Sequence, residues 1–246
     1  MTPDEVFAHP RLAAIYDAVD GERDDLDHYV DLVRELGARH VLDVGCGTGC
    51  LAVRLAAEGI VVTGVDPAAA SLDVARAKPH AEKVAWHLGE ATALPGVTAD
   101  LIVMTGNVAQ VFLDDWTEVL ASCRRALEPG GWLVFEVRDP SCRAWRDWVP
   151  EKTRRTLTVP EAGDVDLWCE LLSEELPLVS FRWSYRFGDG TVLTSDSTLR
   201  FRERDEIVRD LTAAGFDVRE IRDAPDRPGL EWVFVAQAHV APRSTA

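Results

Sequence analysis

The sequence predicts an α/β fold built on a mostly parallel sheet of seven strands. Three observations predict it: strand-like and helix-like segments alternate between residues 40 and 137, the strands are nearly continuous apolar runs, and a helix with two further strands closes the chain. Alternating β and α segments are typical of a parallel sheet with right-handed crossovers, and apolar strands are expected where helices cover both faces. We therefore expect a doubly wound sheet.

The first element is a helix over residues 24–37, because apolar residues recur there at helical spacing and Gly37 supplies a stop. A regular alternation follows it. In order, the segments are strand 40–44, helix 49–58, strand 60–65, helix 68–78, strand 84–88, strand 100–105, helix 114–127 and strand 132–137.

The pattern changes after Pro140. Four strand-like segments follow, at 153–160, 165–172, 178–187 and 191–202. The last two flank Gly188-Asp189-Gly190, which is a strong hairpin signal, so we expect an antiparallel β insertion after the fifth strand. A helix over 203–214 and strands at 216–221 and 231–237 then complete the sheet.

This pattern divides the chain into three parts. We predict an N-terminal helical lid (1–38), an α/β core formed by 39–140 and 203–240, and the β insertion (141–202) as a cap over the acceptor.

Composition limits the classes of partner. The chain has 246 residues with 26 Lys and Arg against 42 Asp and Glu, which gives a formal net charge of −16. Such a surface repels nucleic acid and anionic membranes, so neither is an expected partner. The start of the chain lacks the features of a secretory signal, and the five cysteines form no C-x-x-C pair. We therefore expect a cytoplasmic protein, and nothing in the sequence indicates its oligomeric state.

The strongest local signal is VLDVGCGTG at 41–49, where a strand runs into Gly45, Gly47 and Gly49 at the start of a helix. Glycines there let the backbone approach a ligand closely, and the helix start offers free N–H donors. A dinucleotide fingerprint would require a third glycine at position 50, which is Cys50. No Gly-Lys-Ser/Thr follows, so the phosphate-loop pattern also fails.

Asp43 and the alternating glycines resemble the first motif of class I S-adenosylmethionine-dependent methyltransferases. Later motifs match that family in the same order. Asp66 and Pro67 follow the second strand, Glu90 and Ala91 follow the third, and LEPGGWLVFE (127–136) resembles the turn and fifth strand. The resemblance implies a Rossmann-like fold, a ribose anchor at Asp66 and adenine recognition around Glu90.

The segment TGNVAQVF (105–112) ends the fourth strand, where the family places cofactor and acceptor side by side. Asn107 resembles an asparagine of some small-molecule N-methyltransferases, and Tyr16 resembles an N-terminal lid tyrosine. The cofactor-binding residues that the resemblance implies are Tyr16, Asp43, Gly45, Cys46, Gly47, Gly49, Asp66, Pro67, Glu90, Ala91, Thr105, Gly106 and Asn107.

The resemblance implies methyl transfer from S-adenosyl-L-methionine to nitrogen or oxygen of a small-molecule acceptor, with S-adenosyl-L-homocysteine as product. Catalysis would rest on alignment of the acceptor, methyl carbon and sulfur. The sequence singles out no catalytic base, although His9, His28 or Tyr16 could assist. The histidines show no metal-ligand spacing, so no metal is expected.

Two other functions remain open at this point. One is a module that binds the cofactor without turnover, and the other is a nicotinamide-dependent oxidoreductase, which Cys50 disfavours. The aromatic residues also allow two interpretations. Trp145 and Trp148 could wall an acceptor site, whereas the alternating Trp183 and Tyr185 are more typical of a half-buried strand that packs on a core.

Overall fold

A computed structural model of the chain describes residues 2–240. The helices are α1 (Glu5–Ala8), α2 (Pro10–Asp20), α3 (Asp25–Glu35), α4 (Cys50–Ala57), α5 (Ala69–Arg76), α6 (Trp116–Ala126), α7 (Pro150–Thr153) and α8 (Arg204–Ala213). The strands are β1 (His40–Val44), β2 (Val61–Asp66), β3 (Val84–Leu88), β4 (Ala99–Met104), β5 (Leu127–Arg138), β6 (Arg155–Val159), β7 (Gly163–Glu175), β8 (Leu178–Phe187), β9 (Val192–Arg200), β10 (Phe216–Asp223) and β11 (Glu231–Ala238).

Seven strands form the main sheet in the order β10-β11-β5-β4-β1-β2-β3. The pairs among β1 to β5 are parallel, and β11 lies antiparallel to both β5 and β10. The predicted mostly parallel sheet of seven strands is therefore confirmed. Because β1 and β4 are adjacent and the chain winds outward from them on both sides, the carboxyl ends of β1, β2 and β4 meet at one edge.

Neighbouring strand residues pack on opposite faces of this sheet. Leu101 and Val103 of β4 pack on the face that α3 and α4 cover, whereas Ile102 and Met104 pack on the face that α6 and α8 cover. Side chains of a strand alternate between its two faces, and helices cover both faces here. This is why the strands read as continuous apolar runs in the sequence.

The insertion forms a separate sheet of four antiparallel strands in the order β6-β7-β8-β9, as predicted. One face of it packs on α2, where Leu12 and Ile15 contact Tyr185 and Phe187. Trp183 packs against the same cluster. The aromatic row of β8 is therefore core, which confirms that interpretation over a pocket.

The boundary of the N-terminal part differs from the expected one. Residues of α3 such as Leu26 and Val33 pack with Val41 of β1 in the core of the main sheet. Helices α1 and α2 contact both α5 of the main sheet and strands of the insertion, whereas the apolar stripe of α3 is buried against β1 and β4. That residues 1–38 act as a lid stays a prediction.

Candidate functional site

A cavity of about 600 Å³ opens at the carboxyl ends of β1, β2 and β4. Residues of helices α1 and α2 line it on one side, Phe7 and Tyr16 among them. Asp196 and Thr198 of β9 line it from the insertion. The main sheet, the N-terminal helices and the insertion thus all contribute to one cavity of the size that small-molecule ligands occupy.

The glycine-rich turn between β1 and α4 forms part of the cavity wall. Gly47 lies at φ +52°, and a Cβ at this position would meet no other atom within 4 Å. Gly49 lies at φ +78°, and a Cβ there would come within 2.5 Å of Trp86. Only glycine adopts both conformations readily, so Gly47 keeps the cavity open and Gly49 lets the turn pack on β3.

The carboxylate of Asp66 closes this turn at the end of β2. One oxygen accepts a hydrogen bond from the Gly47 N–H at 2.8 Å, and the other accepts from the Ala68 N–H at 2.8 Å. The residue is only 7% exposed, and burial raises the pKa of its carboxyl although both hydrogen bonds oppose this. Each oxygen has a second lone pair and Asp66 lines the cavity, so the group has the capacity to accept from a ligand as well.

Asp43 is the most buried carboxylate of the site, with 1% exposure. Its Oδ1 atom has no hydrogen-bond partner within residues 2–240. Burial, aided by the negative charge of Asp66 and opposed by Arg23, raises the pKa of Asp43 to about 7. A buried acceptor without a donor is costly, and Asp43 lines the cavity, so a ligand that brings a donor fits here.

The segment that follows β3 also forms part of the cavity wall. Gly89, Glu90, Ala91 and Thr92 line the cavity beside Pro67. Ala91 begins a short turn of 3₁₀ helix (Ala91–Ala93). The predicted pair of Glu90 and Ala91 therefore lies on the same cavity as Asp66.

The segment after β4 reaches the cavity only in part. Thr105 and Gly106 line it, but Asn107 is buried behind them, and its Nδ2 donates to both carboxylate oxygens of Glu231 at 3.3 Å. Asn107 adopts a left-handed conformation with φ +62°, which turns its side chain toward β11. Asn107 therefore does not line the cavity, and its contact with the cofactor stays a prediction.

Glu136 on β5 holds this loop in place. Its Oε1 accepts from the Gly106 N–H at 2.6 Å and from the Asn107 N–H at 3.0 Å. Burial and then the charge of Glu231 raise the pKa of Glu136 to about 7, against the two N–H donors and Arg227. Nothing local in the sequence indicates this contact, because 29 positions separate Glu136 from Asn107.

The structure brings together most of the predicted residues and leaves others outside. The cavity is lined by Tyr16, Asp43, Gly45, Cys46, Gly47, Asp66, Pro67, Glu90, Ala91, Thr105 and Gly106. Gly49 lies outside the lining, because it faces Trp86 and Ala75. The predicted residues that line the cavity therefore come from five separate chain segments.

The other candidate residues of the sequence lie elsewhere. Trp145 and Trp148 do not line the cavity: Trp145 is buried against Phe201, and Trp148 packs on Phe181 at 4.5 Å between ring centroids. His9 accepts from the Arg11 N–H at the start of α2. Trp145 and Trp148 therefore pack against the insertion and do not wall the cavity.

His28 also lies outside the lining. It packs edge-on against Tyr29, and burial, followed by the charge of Arg222, lowers its pKa. Neither His9 nor His28 therefore faces the cavity, and of the three residues suggested as bases only Tyr16 lines it.

Sequence reasoning missed five charged residues of the lining, which are Asp4, Arg23, Asp114, Asp115 and Asp196. Arg23 pairs with Asp20 at 2.9 Å and with Asp25 at 2.8 Å. A signal was available for Arg23, since a basic residue stands alone among acidic ones in GERDDLD (21–27). Asp196 lies in the insertion and gave no such signal.

Comparisons with known proteins agree with this geometry. A family model described as a methyltransferase domain matches residues 41–131, which contain the glycine turn, Asp66 and Glu90. A ubiquinone biosynthesis O-methyltransferase of Idiomarina loihiensis is 30% identical over 175 residues, which cover 62% of this chain and 72% of that protein. The chain belongs to the class I S-adenosylmethionine-dependent methyltransferases. The cofactor of this family is S-adenosylmethionine.

Solved structures share the fold of this methyltransferase. The CcbJ methyltransferase of Streptomyces caelestis has a TM-score of 0.78 at 22% identity, with 95% of this chain and 97% of that chain covered. The amino pentose methyltransferase CalS10 of Micromonospora echinaspora, solved with its cofactor bound, has a TM-score of 0.68 at 24% identity, with 91% and 96% covered. Other curated relatives are matched over less of their length, about half in several cases.

Two further features of this methyltransferase concern what it can bind. Within residues 2–240, no three side chains of His, Cys, Asp or Glu are grouped so that they could hold a metal ion. No helix in the same range has both the length and the apolar character that a membrane crossing requires.

Proposed function

We propose that this protein transfers the methyl group of S-adenosylmethionine to nitrogen or oxygen of a small-molecule acceptor and releases S-adenosylhomocysteine. The observation that carries the proposal is the Oδ1 of Asp43, which has no hydrogen-bond partner within residues 2–240, beside the glycine turn that Asp66 binds. The cofactor carries a cationic amino group and a sulfonium, and both favour a buried carboxylate nearby. Family membership leaves the nicotinamide alternative without support.

Each part of the cofactor has a matching group in the cavity. Asp66 would accept from the ribose hydroxyls with its free lone pairs, and one such charged hydrogen bond contributes about 1.5–3 kcal/mol. Asp43 would accept from the amino group, beside the turn formed by Gly45, Cys46 and Gly47. These contacts would fix the amino-acid and ribose ends.

The remaining predicted residues would hold the adenine and the methyl end. Glu90 and Ala91 would meet the adenine edge, with Pro67 beside them, and Tyr16 would cover the cofactor from the lid. Thr105 and Gly106 would face the methyl end. Gly49 and Asn107 would act from behind, by shaping the turn and the loop.

The bound cofactor would supply a methyl group that is already activated, because its sulfur departs as a neutral thioether. The chain's task is then to hold the acceptor in line and to exclude water. A contact between α1 and the insertion supports such alignment, because the Val6 N–H donates to Ser195 Oγ at 2.9 Å and so ties the two parts together. A rigid loop at Gly106, held by Glu136, serves the same purpose.

The names of similar proteins support a small molecule as acceptor. The relatives include O-methyltransferases of ubiquinone biosynthesis, and a similar fold serves an amino pentose methyltransferase. Both oxygen and nitrogen acceptors are thus compatible with the fold, which by itself does not decide function. The net charge of −16 supports an acceptor other than nucleic acid.

Two measurements test the proposed function. Thermal unfolding should shift upward with saturating S-adenosylhomocysteine and not with NAD, since a ligand of the native state stabilises it by mass action. Release of S-adenosylhomocysteine from S-adenosylmethionine, corrected for hydrolysis, should then depend on an acceptor. Binding without any acceptor-dependent release would favour the alternative of a module without turnover, and the absence of binding would remove the proposal.

A further inference from the structure

Carboxylates also line the cavity beyond the turn that Asp43 and Asp66 border. Asp4 comes from the start of α1, Asp114 and Asp115 from the segment before α6, and Asp196 from β9. Arg23 is the single basic residue among the described residues of the lining. The proposed cofactor contacts use Asp43 for the amino group and Asp66 for the ribose, so the carboxylates beyond the turn are left for a second ligand.

Asp4 stands out among these carboxylates. Its Oδ2 accepts from the Ser197 hydroxyl at 2.6 Å, and within residues 2–240 no basic side chain is placed to form an ion pair with it. Burial raises the pKa of Asp4, with Ser197 opposing and the nearby Asp196 adding to the rise. A half-buried carboxylate with only a neutral donor is stabilised when a cation or an N–H donor arrives.

Asp196 differs from Asp4 in having a charged partner. Arg182 on β8 donates to its two oxygens at 2.5 and 2.7 Å, which forms a bidentate pair and lowers the pKa of Asp196. Its charge is therefore largely balanced within the protein. Asp4 has no such charged partner within residues 2–240, and it is the carboxylate that we assign to a ligand.

The position of Asp4 is fixed by two contacts between the lid and β9. Ser197 holds the side chain, and two residues on, the Val6 N–H donates to Ser195 Oγ at 2.9 Å. Ser195 and Ser197 are both buried, so these hydrogen bonds are shielded from water. Asp4 is thus a preorganised group at the junction of lid, insertion and cavity.

We propose that the methyl acceptor is a small-molecule amine and that Asp4 binds its nitrogen and receives its proton. This inference rests on the proposed function, since it concerns the second ligand of the same cavity. The Asp4 carboxylate, which has only a neutral donor, favours an ammonium ion and disfavours a phenolate or carboxylate, which it would repel.

The proposed step balances as follows. An ammonium N–H passes its proton to the Asp4 carboxylate, which leaves a free electron pair on nitrogen. That pair forms the new N–C bond while the bond between the methyl carbon and the cofactor sulfur breaks, and the electrons of the broken bond stay on sulfur. Asp4 then loses its proton to water. A carboxyl whose pKa is raised is the better proton acceptor in such a step.

The test uses the full chain and matched pairs of probes: benzylamine with benzyl alcohol, 2-aminoethanol with ethylene glycol, and glucosamine with glucose. Acceptor-dependent release of S-adenosylhomocysteine and equilibrium binding to the protein loaded with S-adenosylhomocysteine are both measured. We expect binding and release with amine members only. Asp4→Asn should lower kcat/KM about 10- to 100-fold, because a charged hydrogen bond contributes about 1.5–3 kcal/mol.

Two further variants accompany this change, the first as a control and the second as another test of Asp4. Asp31→Asn removes an exposed carboxylate of α3 outside the cavity and should leave kcat/KM unchanged. Ser197→Ala removes the hydroxyl that orients Asp4 and should lower kcat/KM about 2- to 10-fold. Binding of S-adenosylhomocysteine to Asp4→Asn should match that of the unaltered protein, which shows that the variant is folded.

The outcomes separate the amine inference from the proposed function. Preference for the hydroxyl members, an unchanged kcat/KM in Asp4→Asn, or no amine bound or methylated by protein that binds S-adenosylhomocysteine would each overturn the inference. In all three cases the cofactor site would stand. Failure of the unaltered protein to bind S-adenosylhomocysteine would instead overturn the proposed function, and the inference with it.

Discussion

The Asp66 carboxylate accepts a hydrogen bond from the backbone N–H of Gly47 at 2.8 Å, although 19 positions separate the two residues. The contact joins the end of β2 to the glycine turn after β1. A single side chain therefore both shapes the turn and faces the cavity, so a change at Asp66 is expected to affect the turn and the ligand together.

Replacement of Asp66 tests this coupling. Asp66→Ala removes the acceptor for the Gly47 and Ala68 N–H groups and the proposed ribose anchor. We expect calorimetry to show about 10- to 100-fold weaker binding of S-adenosylhomocysteine. Asp73→Asn, an exposed change on α5, should leave affinity as it is. Equal affinity in Asp66→Ala and the unaltered protein would remove Asp66 from the site.

The pKa of Asp43 predicts a pH-dependent affinity. In the free protein the group titrates at about 7, and the ligand's amino cation would lower this pKa. Affinity for S-adenosylhomocysteine should therefore rise up to about tenfold from pH 6 to pH 8, because binding releases a proton in that window. Asp43→Asn should bind more weakly and without the slope. A slope that persists in Asp43→Asn would assign the proton to another group.

Glu136 offers a second pH test, which concerns stability. Burial raises the pKa of Glu136 to about 7 in the folded protein, above its value in the unfolded chain. At pH values between these two pKa values, the folded protein keeps a proton that the unfolded chain releases. The contribution of Glu136 to the free energy of unfolding therefore falls as pH rises. Glu136→Gln keeps an oxygen for the Gly106 and Asn107 N–H groups but cannot ionise.

From pH 5 to pH 8, the free energy of unfolding of Glu136→Gln should therefore rise relative to that of the unaltered protein by about 1–3 kcal/mol. Denaturant unfolding at each pH measures the difference. Because Asp43 titrates in the same range in both proteins, its contribution cancels. A difference that does not vary with pH would mean that Glu136 is already ionised below this range.

The glycines of the turn should separate ligand contact from packing. Gly49→Ala places a Cβ against Trp86, so it should lower the free energy of unfolding by about 2–5 kcal/mol. Gly47→Ala meets no protein atom, so its cost should be about 1–2 kcal/mol, as for the control Gly59→Ala at φ +87°.

Affinity should follow a different order from stability. Gly47→Ala puts a methyl group into the cavity and should weaken binding of S-adenosylhomocysteine, whereas Gly59→Ala should not. Chemical unfolding and calorimetry on the same three variants check both expectations. Equal affinities of Gly47→Ala and Gly59→Ala would show that the ligand does not approach Gly47.

The sequence by itself determined the order of the elements and the position of the glycine turn. Helical and strand periodicities are local properties, so β1 to β5, α3 to α6 and the insertion strands could be predicted from neighbouring residues. Asp43, Gly47 and Asp66 stand at strand ends, and the ends of parallel strands meet at one edge. Local order therefore placed these residues on one cavity.

Only the tertiary structure decided which distant residues meet. The pairing of Asp4 with Ser197 joins residues 193 positions apart, and the contact of Asn107 with Glu231 spans 124. The clash that excludes a side chain at Gly49 comes from Trp86 on β3. Such contacts depend on how lid, insertion and sheet pack together, and no periodicity along the chain encodes that packing.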